Sequence, residues 1–182
     1  MRSKKAVFLD RDGTIIIERE YLKRAEDVSV FPEAARALRR LMEAGFLLVM
    51  VSNQSGVGRG YFTIADVEAV NAKLLEILAV DGVKFAKVYY APEAPDQPSR
   101  GRKPSPAFLF DARDEFGIDL AKSYMIGDKD IDLQCGWNAG VKKSILVRTG
   151  YGRKTEAAGK VGSGVAVDDI SAAVDWILKQ AV

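Results

Sequence analysis

The sequence predicts an α/β fold with one parallel sheet and helices on both of its faces. Short apolar runs alternate along the chain with segments whose apolar residues recur every three or four positions, which is the pattern of strands alternating with helices. Residues 46–51 are apolar almost throughout, as expected for a strand buried on both faces. Because 48% of the 182 residues are hydrophobic, a substantial core can form, and we predict a single domain over residues 1–182.

The elements follow one another in a simple order. Pro32 suits the first turn of a helix and Gly45 its end, while Thr63 with Asp66 three positions later is typical of a helix N-terminal cap. Residues 156–164 are rich in Gly, Ala and Lys and are predicted to be flexible. We predict strands at residues 6–9, 46–51, 83–90, 124–126, 144–147 and 165–167, and helices at residues 32–45, 63–78, 104–117, 130–139 and 169–180.

Composition excludes several classes of function. The net charge is +2, from 27 basic and 25 acidic residues, so we expect neither nucleic acid nor a membrane as a partner. The basic start, Met1 to Lys5, precedes an apolar stretch too short for a signal peptide. The single cysteine, Cys135, excludes an intramolecular disulfide and suits a cytoplasmic location. Histidine is absent, which excludes histidine-dependent serine or cysteine hydrolases and the usual zinc hydrolases.

Two carboxylates follow the first predicted strand. Asp10 and Asp12 lie one residue apart, so they face the same side of an extended chain, and Gly13 allows the backbone to turn sharply after them. At a separation of about 4 Å, the two charges repel by roughly 4 kcal/mol at an effective dielectric constant near 20. The pair therefore indicates a cation between them, for which Mg²⁺ is the natural candidate.

Further polar residues follow the next three predicted strands. Since the carboxyl ends of parallel strands meet at one edge of a sheet, these residues are expected to form one site. Each has an ordinary alternative, because an Asp can form a turn or cap a helix and a lysine can lie on the surface. The residues are Ser52, Asn53, Gln54 and Ser55 after the second strand, Arg102 and Lys103 after the third, and Asp128, Lys129 and Asp132 after the fourth.

The motifs FLDRDGT, VSNQSG, GRKPSP and IGDKDID resemble those of the haloacid dehalogenase (HAD) superfamily of phosphohydrolases. DRDGT, SNQSGVGRGYF, RKPSP, SYMIGDK and LVRTG are similar to the heptose bisphosphate phosphatase and histidinol phosphatase subgroup. The resemblance covers about residues 7–150 and implies a HAD-like Rossmannoid fold. About seventeen residues separate Thr14 from Pro32, so the cap over the site is expected to be minimal.

The resemblance also implies catalytic roles. Asp10 would be the nucleophile that forms an aspartyl phosphate, and Asp12 the general acid and base. Ser52 would bind the phosphoryl group and Lys103 would neutralise its charge. Asp10, the backbone carbonyl of Asp12 and Asp128 would hold Mg²⁺. Asp132 is expected to orient Lys103 or water on the metal.

Other residues are implied to bind the substrate. Asn53 would orient the leaving group, Arg102 would recognise the rest of the substrate, and Arg59 would bind a distal phosphate. A solvated charged loop remains the alternative interpretation of residues 18–21. The remaining candidates are Gln54, Ser55, Lys129, Glu18, Arg19, Glu20 and Tyr21.

One loop departs from the resemblance. Related phosphatases often carry a zinc loop, C-x-H-x5-C-x-C, immediately before R-K-P. Residues 91–101 keep its spacing, but the four ligand positions hold Ala91, Glu93, Ser99 and Gly101. These residues cannot form a tetrahedral zinc site, so we expect a zinc-free loop held by its prolines and by packing.

The implied activity is that of a magnesium-dependent phosphomonoesterase on a small phosphate ester. The favoured substrate is D-glycero-D-manno-heptose 1,7-bisphosphate, losing its 7-phosphate on the route to heptose for lipopolysaccharide. Histidinol phosphate or another small sugar phosphate remains an alternative, and a catalytically silent HAD-like binding protein is a remote one. A phosphomutase is disfavoured, since it needs a cap to exclude water. A monomer or small homo-oligomer is expected.

Overall fold

A computed structural model describes residues 3–180. Six parallel strands form one sheet in the order β3-β2-β1-β4-β5-β6, which confirms the predicted fold class. The single domain over residues 1–182 stays a prediction, and its first two and last two residues, including Met1 of the basic start, lie outside the described part. The strands are β1 (Lys5–Leu9), β2 (Phe46–Asn53), β3 (Lys87–Ala91), β4 (Tyr124–Gly127), β5 (Lys143–Val147) and β6 (Val165–Val167).

Helices cover both faces of the sheet. Side chains alternate along β1, so that Val7 and Leu9 belong to the larger of two apolar cores while Ala6 and Phe8 belong to the other. The larger core packs against α1, α2 and α6, and the other against α3 and α4. The helices are α1 (Ala34–Glu43), α2 (Ile64–Ala79), α3 (Ala107–Phe116), α4 (Asp130–Ala139), α5 (Gly152–Ala157) and α6 (Ile170–Gln180), with short 3-10 helices at Ala25–Asp27 and Leu120–Lys122.

Several boundaries differ from the predictions. Strand β3 begins at Lys87 rather than at residue 83, because its pairing with β2 starts at the Val49–Lys87 pair. Helices α1 and α3 begin at Ala34 and Ala107, after the prolines predicted to open them. Helix α5 was not predicted, and its end overlaps the segment expected to be flexible. At six residues it is too short to show a helical period.

The chain crosses from β1 to α1 with little added structure. Residues 10–33 contain turns and the 3-10 helix Ala25–Asp27, so the described part of this connection forms a minimal cap, as predicted. No helix in the described residues is long and apolar enough to cross a membrane. Because this connection contains only turns and a short 3-10 helix, loops cover the edge formed by the carboxyl ends of the strands.

Candidate active site

The carboxyl ends of β1 and β4 bring three carboxylates together. Asp10 directly follows β1, and its backbone N–H continues the sheet pairing by donating to the Ile126 carbonyl at 2.9 Å. Asp128 follows β4, and Asp132 lies in the first turn of α4. One carboxylate oxygen from each of Asp10, Asp128 and Asp132 lies within 4.8 Å of the others. All three residues are buried, so the sheet and α4 enclose this cluster.

Lys103 joins the cluster from the loop after β3. Its ammonium donates to Asp10 Oδ1 and to the Val51 carbonyl, both at 2.7 Å, and it forms an ion pair with Asp132 Oδ1 at 2.7 Å. Burial disfavours the charged amine, but Asp10 and Asp132 outweigh it and raise the pKa of Lys103. The lysine is therefore a fixed positive charge beside Asp10.

Asn53 holds the backbone of this lysine. Its Oδ1 accepts from the Lys103 N–H at 2.9 Å, and its Nδ2 donates to the Lys103 carbonyl at 3.1 Å. The sequence led us to expect that Asn53 orients the substrate. In the structure its amide is engaged with Lys103, so its visible effect is to position the lysine.

Asp128 presents an oxygen that lacks a protein partner. Its Oδ2 accepts from the Tyr151 N–H at 2.8 Å, whereas its Oδ1 is buried with no hydrogen bond. Burial, followed by the charge of Asp10 and then of Asp132, raises the pKa of Asp128 to about 8. Burial also raises the pKa of Asp10 to about 6, against the opposing effect of Lys103. Clustered carboxylates with one unsatisfied oxygen fit a hard divalent cation such as Mg²⁺.

Asp132 is paired differently. Its Oδ2 accepts from the Lys129 N–H at 3.0 Å, and its Oδ1, which is buried without a hydrogen bond of regular geometry, lies 2.7 Å from Lys103 Nζ in an ion pair. Asp132 thus contacts Lys103 directly, and its role in orienting Lys103 or water on the metal stays a prediction.

Two glycines keep space open around Asp128. A Cβ at Gly13 would lie 2.3 Å from Asp128 Oδ2, and a Cβ at Gly150 would lie 2.2 Å from the same atom. Both residues have positive φ, at 79° and 55°, a conformation that glycine adopts readily. Thr149 Oγ1 donates to the Gly13 carbonyl at 2.6 Å and ties the two loops together.

The Asp12 carboxylate is held by Gln54, which follows β2, and by Arg11, the preceding residue, which was not among the predicted site residues. Arg11 donates from Nε to Asp12 Oδ2 at 3.0 Å and from Nη2 to Asp12 Oδ1 at 3.2 Å. Gln54 Nε2 donates to Asp12 Oδ2 at 2.9 Å and to Ser52 Oγ at 2.5 Å. In an extended chain Arg11 would face away from Asp12, but the chain turns here, since the Arg11 carbonyl accepts from the amides of residues 15 and 16.

A cavity of about 170 Å³ opens beside this cluster. Asp12 and Lys129 lie at its junction with a smaller space of about 30 Å³ that Asp10, Lys103 and Asp132 also line. Eight of its lining residues were predicted to bind the substrate and Asp12 to act in catalysis, whereas Leu22, Gly56, Phe62 and Tyr151 were not predicted. The predicted residues that line it are Glu18, Arg19, Glu20, Tyr21, Asn53, Gln54, Ser55 and Lys129.

Glu18 is the most perturbed group of this cavity. Its Oε2 is buried without a hydrogen bond and lies 4.0 Å from Lys129 Nζ. Burial, followed by the charge of Asp12, raises the pKa of Glu18 to about 7. Lys129 Nζ also lies 4.4 Å from the centre of the Tyr151 ring, a favourable cation–π distance. The alternative of a fully solvated charged loop does not fit Glu18.

Arg59 and Arg102 do not line this cavity. Arg102 Nη1 donates to the Glu93 carbonyl at 3.1 Å. Burial, followed by the charge of Arg59, lowers the pKa of Arg102, while the charge of Glu93 opposes this. Arg59, in the connection from β2 to α2, and Arg102, just before Lys103, are the two cationic groups that we call the cationic patch.

The loop over residues 91–101 is held by hydrogen bonds and close packing. Ser99 Oγ donates to Glu93 Oε2 at 2.7 Å and accepts from the Arg102 N–H at 3.1 Å. A Cβ at Gly101 would lie 2.1 Å from the Phe108 ring. Two of the positions that hold zinc in related loops therefore bind each other here. The expectation of prolines and packing was incomplete, because it left out this hydrogen-bond network.

The family model described as HAD-hydrolase-like matches residues 101–173. A D-glycero-D-manno-heptose-1,7-bisphosphate 7-phosphatase of Thermosynechococcus vestitus is 38% identical over 96% of this chain and 95% of its own length. A D-glycero-beta-D-manno-heptose-1,7-bisphosphate 7-phosphatase of Escherichia coli is 38% identical over 97% of this chain and 90% of its own.

A solved structure leads to the same group. The D,D-heptose 1,7-bisphosphate phosphatase of B. bronchiseptica, crystallised with magnesium and phosphate, superimposes with a TM-score of 0.90 at 32% identity, covering 97% of this chain and 99% of that one. Identity at this level over nearly the full length of both chains shows that this chain belongs to the HAD superfamily, in its heptose bisphosphate phosphatase family.

Proposed function

We propose that this phosphatase removes the 7-phosphate of D-glycero-D-manno-heptose 1,7-bisphosphate with the help of Mg²⁺, on the route to heptose for lipopolysaccharide. The observation that carries the proposal is the buried Asp10–Lys103 pair, 2.7 Å long, beside the unsatisfied Asp128 Oδ1. Phosphoryl transfer through an acyl phosphate uses three groups: a nucleophilic carboxylate, a fixed ammonium group and a cation-binding site.

The reaction would proceed in two steps. The Asp10 carboxylate attacks phosphorus and forms an aspartyl phosphate, while the bond from phosphorus to the sugar oxygen breaks. Asp12 donates a proton to that oxygen as it leaves and then takes a proton from the water that attacks phosphorus. Phosphate is released and the Asp10 carboxylate is regenerated.

Other residues would stabilise the phosphoryl group. Ser52 would donate a hydrogen bond to it, and Lys103 would offset the charge on its oxygens. Asp10, the carbonyl of Asp12 and Asp128 would hold Mg²⁺, which when bound neutralises charge on the phosphoryl oxygens.

The rest of the substrate would occupy the loops. The 170 Å³ cavity beside Asp12 and Lys129 suits a polyol chain, since Glu18 can accept from a hydroxyl group. The Arg59–Arg102 patch would bind the phosphate that is not hydrolysed.

We also infer a cytoplasmic protein, monomeric or a small homo-oligomer, whose partner is a small phosphate ester. The near-neutral charge and single cysteine support this inference.

The test is phosphate release with Mg²⁺ from the heptose bisphosphate, histidinol phosphate and several sugar monophosphates. We expect the highest kcat/KM for the heptose bisphosphate, and no turnover by Asp10→Asn. If another phosphate ester gave the highest kcat/KM, the substrate assignment would be rejected, but the assignment as a phosphatase would stand. An inactive wild-type enzyme would favour a silent binding protein, and an active Asp10→Asn variant would reject the aspartyl phosphate.

A further inference from the structure

Arg11 is the largest fully buried side chain in the described structure, with 1% of its surface exposed. A guanidinium group remains charged in proteins, so its burial is unfavourable unless each edge of the group is paired. Two of its nitrogens bind both oxygens of Asp12, at 3.0 and 3.2 Å. The third, Nη1, donates to Asn71 Oδ1 at 2.8 Å. Arg11 therefore connects Asp12 to helix α2.

Asn71 is a polar residue on an apolar helix face. It is 6% exposed and lies between Val70 and Leu74, both fully buried. Helix α2 has its own N-terminal capping box, formed by Thr63 and Asp66, so Asn71 is not needed to cap it. A buried amide without a partner is costly, and the side chain that donates to the Asn71 oxygen is Arg11.

The anchoring of Asp12 thus comes from two distant elements. Helix α2 acts through Asn71 and Arg11, and the end of β2 acts through Gln54, which donates to Asp12 Oδ2 at 2.9 Å. These contacts leave the carboxylate partly exposed, with 16% of its side chain accessible, at the junction of the two cavities.

We propose that Asn71 and Arg11 are positioning residues, which fix the Asp12 carboxylate where it can pass a proton to the leaving oxygen. This inference rests on the proposed function, in which Asp12 is the general acid. Proton transfer requires hydrogen-bond reach to the leaving oxygen, so a carboxylate that rotates freely is a poorer acid.

The leaving group distinguishes this role from a structural one. A sugar alkoxide is a poor leaving group and needs its proton, whereas p-nitrophenolate leaves readily without one. The value of kcat/KM reports the steps up to departure of the leaving group, so loss of positioning should affect the two esters unequally. A general loosening of the site should affect them alike.

The experiment measures kcat/KM of Asn71→Leu, which removes the acceptor and keeps the branching of the side chain, on the preferred sugar phosphate and on p-nitrophenyl phosphate. We expect a loss of about 10–100-fold on the sugar phosphate, within the range that general acid catalysis contributes, and a loss under about 3-fold on the aryl ester. Asn71→Asp keeps the acceptor and should restore most of the rate on the sugar ester. Arg11→Lys, which lacks the planar fork, should reproduce the asymmetry if Asn71→Leu does not fold.

Val70→Ala is the matched control, since it weakens the packing of the same helix without removing a hydrogen bond of Arg11. It should change both esters by the same factor. Equal losses on the two esters in Asn71→Leu and Arg11→Lys, or faster turnover of the sugar ester, would overturn the inference while the proposed function stands. A wild-type enzyme that hydrolyses p-nitrophenyl phosphate but no sugar phosphate would reject the proposed function first, and with it the role of Asp12.

Discussion

Two regions meet at Lys103, and they are held by different forces. On one side, Asp10 and Asp128 are buried carboxylates that follow strands, Asp132 is a buried carboxylate in the first turn of α4, and ion pairs of 2.7 Å to Asp10 and Asp132 fix the lysine. On the other side, the loop over residues 91–101 is held by the Ser99–Glu93 hydrogen bond, by backbone contacts and by the packing of Gly101. The first region resembles a domain core, and the second resembles a surface loop.

The difference shows where this protein tolerates change. Removing one partner of a buried charge cluster leaves the others uncompensated, which is strongly unfavourable. Replacing one hydrogen bond of a loop costs only about 1 kcal/mol. Substitutions in the loop that contains Ala91, Glu93, Ser99 and Gly101 are therefore expected to cost less than substitutions in the buried charge cluster.

The largest effect is expected at the proposed Mg²⁺ site formed by Asp10, the Asp12 carbonyl and Asp128. Chelation with EDTA should stop phosphate release, and Mg²⁺ should restore it. Mg²⁺ at about 100 times its Kd should also stabilise the fold by about 2.7 kcal/mol, raising Tm by about 5–10 °C. Asp128→Asn should lose activity by at least about 100-fold and abolish this shift. Asp175→Asn, at an exposed ion pair, is the control and should keep both.

The same cluster makes a prediction about pH without metal. The pKa values of Asp10 and Asp128 are raised to about 6 and about 8, so the folded state binds more protons than the unfolded state between about pH 4 and 8. Stability of the chelated protein should therefore fall as pH rises through that range. Thermal unfolding across the pH series checks it, and a Tm that rises with pH through this window would contradict the assignment.

An intermediate effect is expected at the cationic patch. Arg102→Ala should raise KM for the bisphosphate by about 10–100-fold, the range for a charge-assisted hydrogen bond, with a small change for a monophosphate. Arg100→Ala is the matched control, because Arg100 binds Asp111 on the exposed side of the same loop. Equal KM changes in the two variants would place the distal phosphate elsewhere.

A smaller effect is expected at Glu18, whose pKa is raised to about 7. Above that pH the carboxylate is anionic and repels a phosphate dianion, so KM of the wild-type enzyme should rise a few-fold between about pH 6 and 8. Glu18→Gln should remove this rise. Glu26→Gln, at an exposed ion pair, is the control and should leave the rise of KM with pH unchanged. If the rise persists in Glu18→Gln, another group is responsible for it.

The smallest effect is expected from zinc removal. A zinc-specific chelator should change neither Tm nor kcat, because the loop is held by its own hydrogen bonds. Ser99→Ala should lower stability by about 1 kcal/mol, or about 2–4 °C in Tm. A chelator that unfolds the protein would show that zinc holds this loop after all.

The sequence predicted the parts of the molecule that depend on local pattern. The central strands are apolar on both faces, so their runs are visible in the sequence, and the ends of parallel strands must share an edge. Asp10 and Asp128 directly follow two neighbouring strands, so their positions are sufficient to predict that these two carboxylates lie near each other. Lys103 follows β3 only after a long loop, and its place beside them was predicted with the help of the motif resemblance.

The misses depend on tertiary contacts. Arg11 looks like an outward-facing residue until the chain turns and brings it onto Asp12 and Asn71. Tyr151 lines the cavity from the position just before α5, a six-residue helix with too few positions to show a period. The role predicted for Asn53, orienting the leaving group, stays a prediction, but its bonds to the Lys103 backbone were not predicted because they depend on the path of a distant loop.

Gly13 and Gly150 are far apart in the chain, yet a Cβ at either position would stand within 2.3 Å of the same oxygen of Asp128. In a library of every single substitution, both positions would be depleted together under selection for activity, with alanine among the rejected residues. The activity thus depends on two positions, Gly13 and Gly150, whose residues contribute space rather than a functional group.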